Sequence, residues 1–132
     1  MAFPGTYNFN YYKGDTLEFR IYPKDADGGV FDLSGYDPTS GAKFTISTAR
    51  GQAGFDDQVA CVATINSDSG YVLCRVDSTT GTTLDAATQY VYDVEISKDE
   101  TVGAETVNYT YTLLTGTISI IDQISGVPDP GA

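Results

Sequence analysis

The chain has 132 residues, a length that suits one domain able to bury roughly two-thirds of the surface its unfolded form exposes. Its 7 basic and 18 acidic residues leave a net charge of −11, which repels phosphate backbones and anionic lipid head groups and excludes nucleic acid and membrane surfaces as expected partners. Histidine is absent, which excludes Ser-His-Asp and Cys-His nucleophile systems, while Tyr 10, Phe 6 and many Val, Ile and Thr residues favour strands over long helices.

Met1-Ala2-Phe3-Pro4-Gly5 carries neither the basic segment nor the apolar run of an export signal, and no window nears the ~18 apolar residues of a membrane span. A cytoplasmic site of synthesis is the expectation. Tyr7, Phe9 and Tyr11 alternate with Asn8 and Asn10 as a first strand, suited to an edge. Lys13-Gly14-Asp15 reads as a turn, after which Leu17, Phe19 and Ile21 alternate with Glu18, Arg20 and Tyr22 until Pro23 stops the strand. Lys24-Asp25-Ala26-Asp27-Gly28-Gly29 is a dense turn signal, followed by Val30-Phe31-Asp32-Leu33 and the loop Ser34-Gly35-Tyr36-Asp37-Pro38.

Residues 42–48 form a third clear strand with Phe44 and Ile46 on one face, and residues 50–57 read as a loop. Residues 59–65 and 71–76 are hairpin arms about Asn66-Ser67-Asp68-Ser69-Gly70, apolar on more than one face and therefore expected inside the sheet. Residues 78–83 read as a polar loop. In residues 90–97, Tyr90, Tyr92, Val94 and Ile96 point one way and Val91, Asp93, Glu95 and Ser97 the other, the period of a half-buried strand. Just upstream, Leu84, Thr88 and Tyr90 fall where the E–F corner of an immunoglobulin-like sandwich places a Leu, a Thr or Gly, and a Tyr whose hydroxyl bonds to backbone behind it.

Residues 98–105 are acidic and contain Gly103, so a long, mobile connection is expected there. Tyr109, Tyr111 and Leu113 mark one further strand and residues 117–121 a last one, both expected to pair with residues 90–97. Pro128 and Pro130 prevent the final residues from continuing a ladder. The fold expected is all-β, an antiparallel immunoglobulin-like sandwich of about 8–9 strands, with a small β-barrel as the alternative. Residues 1–12 are read as an N-terminal arm or edge strand, 13–125 as the sandwich domain and 126–132 as an extended tail. Cys61 and Cys74 lie on neighbouring expected strands, free thiols being the first reading and a disulfide the second.

Four stretches taken together resemble a known module: Tyr12-Lys13-Gly14-Asp15-Thr16-Leu17-Glu18-Phe19; Asp25-Ala26-Asp27-Gly28-Gly29-Val30-Phe31-Asp32-Leu33-Ser34-Gly35-Tyr36; Tyr92-Asp93-Val94-Glu95-Ile96-Ser97; and Tyr111-Thr112-Leu113-Leu114-Thr115-Gly116-Thr117-Ile118. The pattern resembles the immunoglobulin-like N-terminal domain of phage baseplate upper proteins and related tail, fibre and capsid-accessory proteins. The resemblance spans roughly residues 12–124 and rests mainly on turns that one sandwich requires. It implies a noncatalytic virion structural protein, assembled in the host bacterial cytoplasm and present in many copies or as a homo-oligomer. In that family the domain leads into a longer receptor-facing or fibre region; here the last strand lies near residue 121, so the expected role is a decoration, cement or tail-baseplate adaptor subunit.

No catalytic, cofactor-binding or metal-binding residues are expected. Asp25, Asp27 and Asp32 offer hard oxygens for Ca²⁺, yet the twelve-position loop with its terminal bidentate Glu is missing, and a plain turn explains them better. The contact residues expected are Phe3, Tyr7, Phe9, Tyr11 and Tyr12 on the N-terminal arm, Tyr36 in its loop, and Val127 and Pro128 on the tail, docking on major capsid or tail and baseplate subunits. The alternative is a carbohydrate-binding or host-surface adhesion module, with Tyr36, Tyr71 or Tyr90 as stacking platforms.

Overall fold

The computed structural model describes residues 5–25, 27–48, 59–85 and 89–121. The loop expected at 50–57 and the tail at 126–132 lie outside these residues, as do Phe3, Thr88, Val127 and Pro128. In chain order come β1 (Gly5–Thr6), β2 (Phe9–Tyr12), β3 (Leu17–Ile21), β4 (Ala42–Ser47), β5 (Val59–Asn66), β6 (Tyr71–Val76), the single helical turn α1 (Ser78–Gly81), β7 (Gln89–Val102) and β8 (Glu105–Ile121). The strands form one eight-stranded sheet in the order β1-β8-β7-β4-β5-β6-β3, with β2 also on β8, and the sheet curls into a half-barrel.

β5 makes the curl. Its first part pairs with β4, Val59 opposite Ile46 and Cys61 opposite Phe44, and its second part pairs with β6, from Val62 opposite Arg75 to Asn66 opposite Tyr71. A strand that changes partner along its length turns the ladder through a corner. β6 and β3 are thereby carried over the inner face of β4, β7 and β2, and rings meet across the interior: Phe19 lies 5.5 Å from Phe44 and 4.9 Å from Phe9. Phe44 and Phe9 in turn contact Tyr92 at 5.8 and 5.4 Å.

The alternation read in residues 90–97 is the alternation found, since Tyr90, Tyr92, Val94 and Ile96 are buried and the intervening residues are not. Val72, Ile46 and Leu84 are also in the interior, each such buried aliphatic side chain contributing about 1.5–3 kcal/mol relative to exposure. The 59–66 and 71–76 arms do lie inside the sheet order, as their two-faced apolar character requires.

Three elements differ from expectation. Residues 98–105 are ladder rather than a long connection: β7 and β8 stay paired out to Val102 opposite Glu105, and the turn is confined to Gly103 and Ala104, with Gly103 at φ +65°. Cross-strand bonds explain how polar residues remain in register there, with Asn108 Nδ2 donating to Asp99 Oδ1 at 2.8 Å and to Ser97 Oγ at 3.1 Å. The two terminal strands are one strand, β8, interrupted only by a bulge against Val94/Glu95. The polar loop at 78–83 begins with α1, and Ser78 Oγ donates to the Gly14 carbonyl at 2.6 Å, tying it to the turn before β3.

The ladder is also not wholly antiparallel. β1 and β2 both run parallel to β8, Gly5 opposite Leu114 and Phe9 opposite Ile118. Between them the chain bends inward at Tyr7, whose carbonyl accepts the Tyr92 hydroxyl at 2.6 Å. The approach is possible because Gly116, opposite Tyr92 on β8, has no side chain: a Cβ there would stand 1.9 Å from the Tyr7 oxygen.

Candidate functional site

The curl leaves an opening on one side. β3 ends the sheet order, so alternate backbone N–H and C=O groups along its outer edge point away from β6. Between that edge and the β1–β8 seam runs an apolar groove of about 630 Å³, walled by Leu17, Phe19 and Ile21 on one side and Tyr7, Phe9 and Leu114 on the other. Tyr7 stands at the rim, 57% exposed, with its ring edge-on to Phe9 at 4.6 Å. On the outer face of β3, Glu18 sits opposite Arg75 with a loose ion pair of 3.9 Å, and the Arg20 guanidinium lies 4.5 Å over the Tyr71 ring. Tyr22, half exposed, stands edge-on to Tyr71 at 5.6 Å.

The expected contact residues are distributed unevenly around this opening. Tyr7 and Phe9 line it. Tyr12 is half exposed but lies at the far end of β2, opposite Ile121, where the two form a separate small apolar spot. Tyr11 is in the core, its hydroxyl donating to the Asp15 carbonyl, and burial pushes that hydroxyl up to about 12. Tyr36 is likewise buried, packed beside Phe31 and under the Lys98 ammonium at 4.9 Å. Neither ring can be a surface contact in this fold, because the inward positions of β2 and of the 33–36 turn close on the core.

The stacking platforms of the carbohydrate alternative meet the same limit. Tyr36 and Tyr90 are each 5% exposed, and one face of Tyr71 is taken by Arg20. Tyr90 serves the corner instead: its hydroxyl accepts the Asp85 N–H at 2.9 Å, with Leu84 buried beside it and Thr88 outside the described residues.

The carboxylates of Asp25, Asp32 and Asp37 are occupied with turns. Asp25 Oδ1 accepts the N–H groups of Asp27 and Gly29, and Asp32 Oδ1 accepts that of Ser34, all at 2.9 Å. Asp37 Oδ1 accepts the N–H groups of Thr39 and Ser40 and the Thr39 hydroxyl, and these donors hold its carboxyl down at about 2. Among the described residues no three His, Cys, Asp or Glu side chains gather as a metal site would require. Cys61 and Cys74 are free thiols, both pushed up to about 12 by burial, which removes the thiolate that nucleophilic chemistry needs.

Half of the groove's lining is legible in the sequence as apolar alternation. The wall built from Leu17, Phe19 and Ile21 was legible as a buried face, but its alternation is the same for an inner and an outer strand. Leu114 and Tyr22 carried no local signal; the curl alone brings them to the opening. No protein-family model matches this chain, and comparison with curated proteins finds no match either.

Proposed function

We propose that this chain is a noncatalytic structural subunit of a tailed-phage virion, a capsid decoration or tail-baseplate adaptor that docks on neighbouring virion proteins. The single observation that carries the docking part is the groove at the β3 edge, where apolar side chains lie beside backbone groups that no described strand pairs. An extended segment of a neighbour adds to such an edge through main-chain bonds and places alternate side chains in the groove. The net charge of −11 keeps the remaining surface solvated and discourages nonspecific adhesion. Many copies around a particle give avidity that one short edge lacks.

An immunoglobulin-like sandwich is part of the same proposal. Supporting it are the division of β5 between β4 and β6, the parallel pairing of the N-terminal segment with the last strand, and the Tyr90 hydroxyl returning to backbone five residues earlier. The virion assignment itself rests on the resemblance of the four stretches quoted above.

The test is incorporation. Tyr7→Ser and Tyr22→Ser each remove an exposed ring at the groove while leaving the buried rings in place, and removal of residues 126–132 tests the tail. Reduced occupancy of the chain in purified particles, at unchanged thermal stability of the free protein, is expected for the groove variants. Full occupancy with both rings removed rejects docking at this groove, and absence of the parent chain from intact particles rejects the virion role.

A further inference from the structure

We infer that the outer edge of β3 pairs with the same edge of a second copy of this chain, forming a two-fold dimer through a continuous antiparallel sheet. The charge order of five residues favours this pairing. Leu17-Glu18-Phe19-Arg20-Ile21 is self-complementary when laid antiparallel on itself about Phe19: Leu17 falls opposite Ile21, Glu18 opposite Arg20, and Phe19 opposite Phe19. Two acid–base pairs then cross the axis, and two-fold symmetry requires that each patch complement itself in this way. A one-residue shift turns the outer-face charges against the partner's inner-face apolar set, and a two-residue shift sets Glu18 opposite Glu18 or Arg20 opposite Arg20, so the charge order selects this register.

The surroundings agree on both faces. Outside, Glu18 already has Arg75 on one flank, and the partner's Arg20 would take the other, giving a cation–anion–cation row across the seam. Arg20 rests on the Tyr71 ring and hydrogen-bonds the Tyr22 side chain but, among the described residues, makes no ion pair of its own, so a carboxylate can still be added to it. Inside, Leu17, Phe19 and Ile21 are only half-buried, and the groove beside them can take up the partner's matching side chains against Tyr7 and Phe9. Among the described residues the edge lacks the usual protections: no proline lies within β3, the only charges bordering the groove, Glu18 and Arg20, are opposite in sign, and Pro23 follows only after Ile21 and Tyr22. Five paired residues make a small interface, so the dimer is concentration-dependent.

The dimer takes the same edge that the docking proposal offers to a virion neighbour, so a paired copy docks there only once the dimer opens; the dimer is measured on the isolated chain and docking by particle occupancy, so the two readings fail separately. Sedimentation of the full chain from about 10 µM to about 1 mM covers the affinities expected of so short a ladder. At about 0.15 M salt the net-charge repulsion is screened within roughly 8 Å. The parent chain shifts from monomer to dimer. Glu18→Arg and Arg20→Glu each place two like-charge pairs across the axis and raise the dissociation constant by about tenfold or more. The E18R/R20E exchange restores opposite pairs and recovers the dimer, and an equimolar mixture of the two single variants forms a heterodimer that neither forms alone.

Recovery in the exchange cannot come from the Glu18–Arg75 contact within one chain, which is lost in that variant as well. Thermal unfolding of each variant checks the fold, and amide exchange at residues 17–21 must slow as concentration rises. A parent chain that stays monomeric throughout, a dimer indifferent to both reversals, or a mixture that fails to associate overturns the inference.

Discussion

Gly116→Ala is the substitution that most directly tests how the N-terminal segment is held. An added Cβ at this position meets the Tyr7 oxygen at 1.9 Å, the Tyr7 carbonyl carbon at 2.8 Å and Asn8 Oδ1 at 3.0 Å, and the first two are backbone atoms that cannot swing aside. The Tyr7–Asn8 bend must lift off β8. Lifting it strains or breaks three hydrogen bonds: Tyr92 Oη to the Tyr7 carbonyl at 2.6 Å, the Tyr7 N–H to the Thr115 carbonyl at 3.0 Å, and the Thr117 N–H to Asn8 Oδ1 at 3.0 Å. At about 1 kcal/mol each, with partial replacement by water, the loss is about 2–3 kcal/mol. For a chain of this length that lowers Tm by roughly 8–12 °C.

Urea unfolding of the parent, G116A, Y92F and the double variant measures this as a thermodynamic cycle. Tyr92→Phe alone removes one of the three bonds and costs about 1 kcal/mol. In the double variant that bond is already gone, so the second substitution adds little and the coupling is about 1 kcal/mol. A G116A variant within about 0.5 kcal/mol of the parent, or two strictly additive effects, refutes the account of Gly116 as the slot that admits the Tyr7 carbonyl.

Three further outcomes follow from the same structure. Tyr90→Phe leaves the Asp85 N–H without its acceptor and is expected to cost about 1 kcal/mol, while Leu84→Ala, a truncation of a buried side chain at the same corner, costs about 2–5 kcal/mol; equal effects in denaturant unfolding contradict the assignment of roles. The Asp37 carboxyl is held at about 2, below its ordinary 3.8, so its contribution is present above the ordinary value and is lost as pH falls through about 2. Asp37→Asn should flatten that part of the stability–pH curve, and an unchanged curve rejects the turn as its cause. Cys61 and Cys74, with thiols pushed up to about 12, should react slowly with a disulfide reagent at pH 8 in the native protein and rapidly in denaturant. Fast labelling of both in the native state contradicts their burial.

The local chemistry of this chain was readable residue by residue. Alternation at residues 17–21, 42–48 and 90–97, and the Asn-Ser-Asp-Ser-Gly turn at 66–70, placed β3, β4, β7 and the β5–β6 hairpin close to where they lie. The acidic run at 98–105 was misleading because turn propensity is local, whereas Asn108, Asp99 and Ser97 hold that ladder by bonds between strands. The candidate site was half legible. The aromatic pattern points to Tyr7 and Phe9 as contact residues, but equally to Tyr11 and Tyr36, which the fold withdraws into its interior.

By itself, then, the order of side chains determined that the chain forms strands, which face of each is apolar, and where most turns fall, because these depend on neighbours one to five positions away. Tertiary structure alone decided that β5 divides between two partners, that β1 and β2 lie parallel to β8, and that β3 ends the order of the described strands. Those outcomes depend on pairings between segments as far apart as Phe9 and Ile118, and an apolar face reads the same whether a strand, a groove or another molecule covers it.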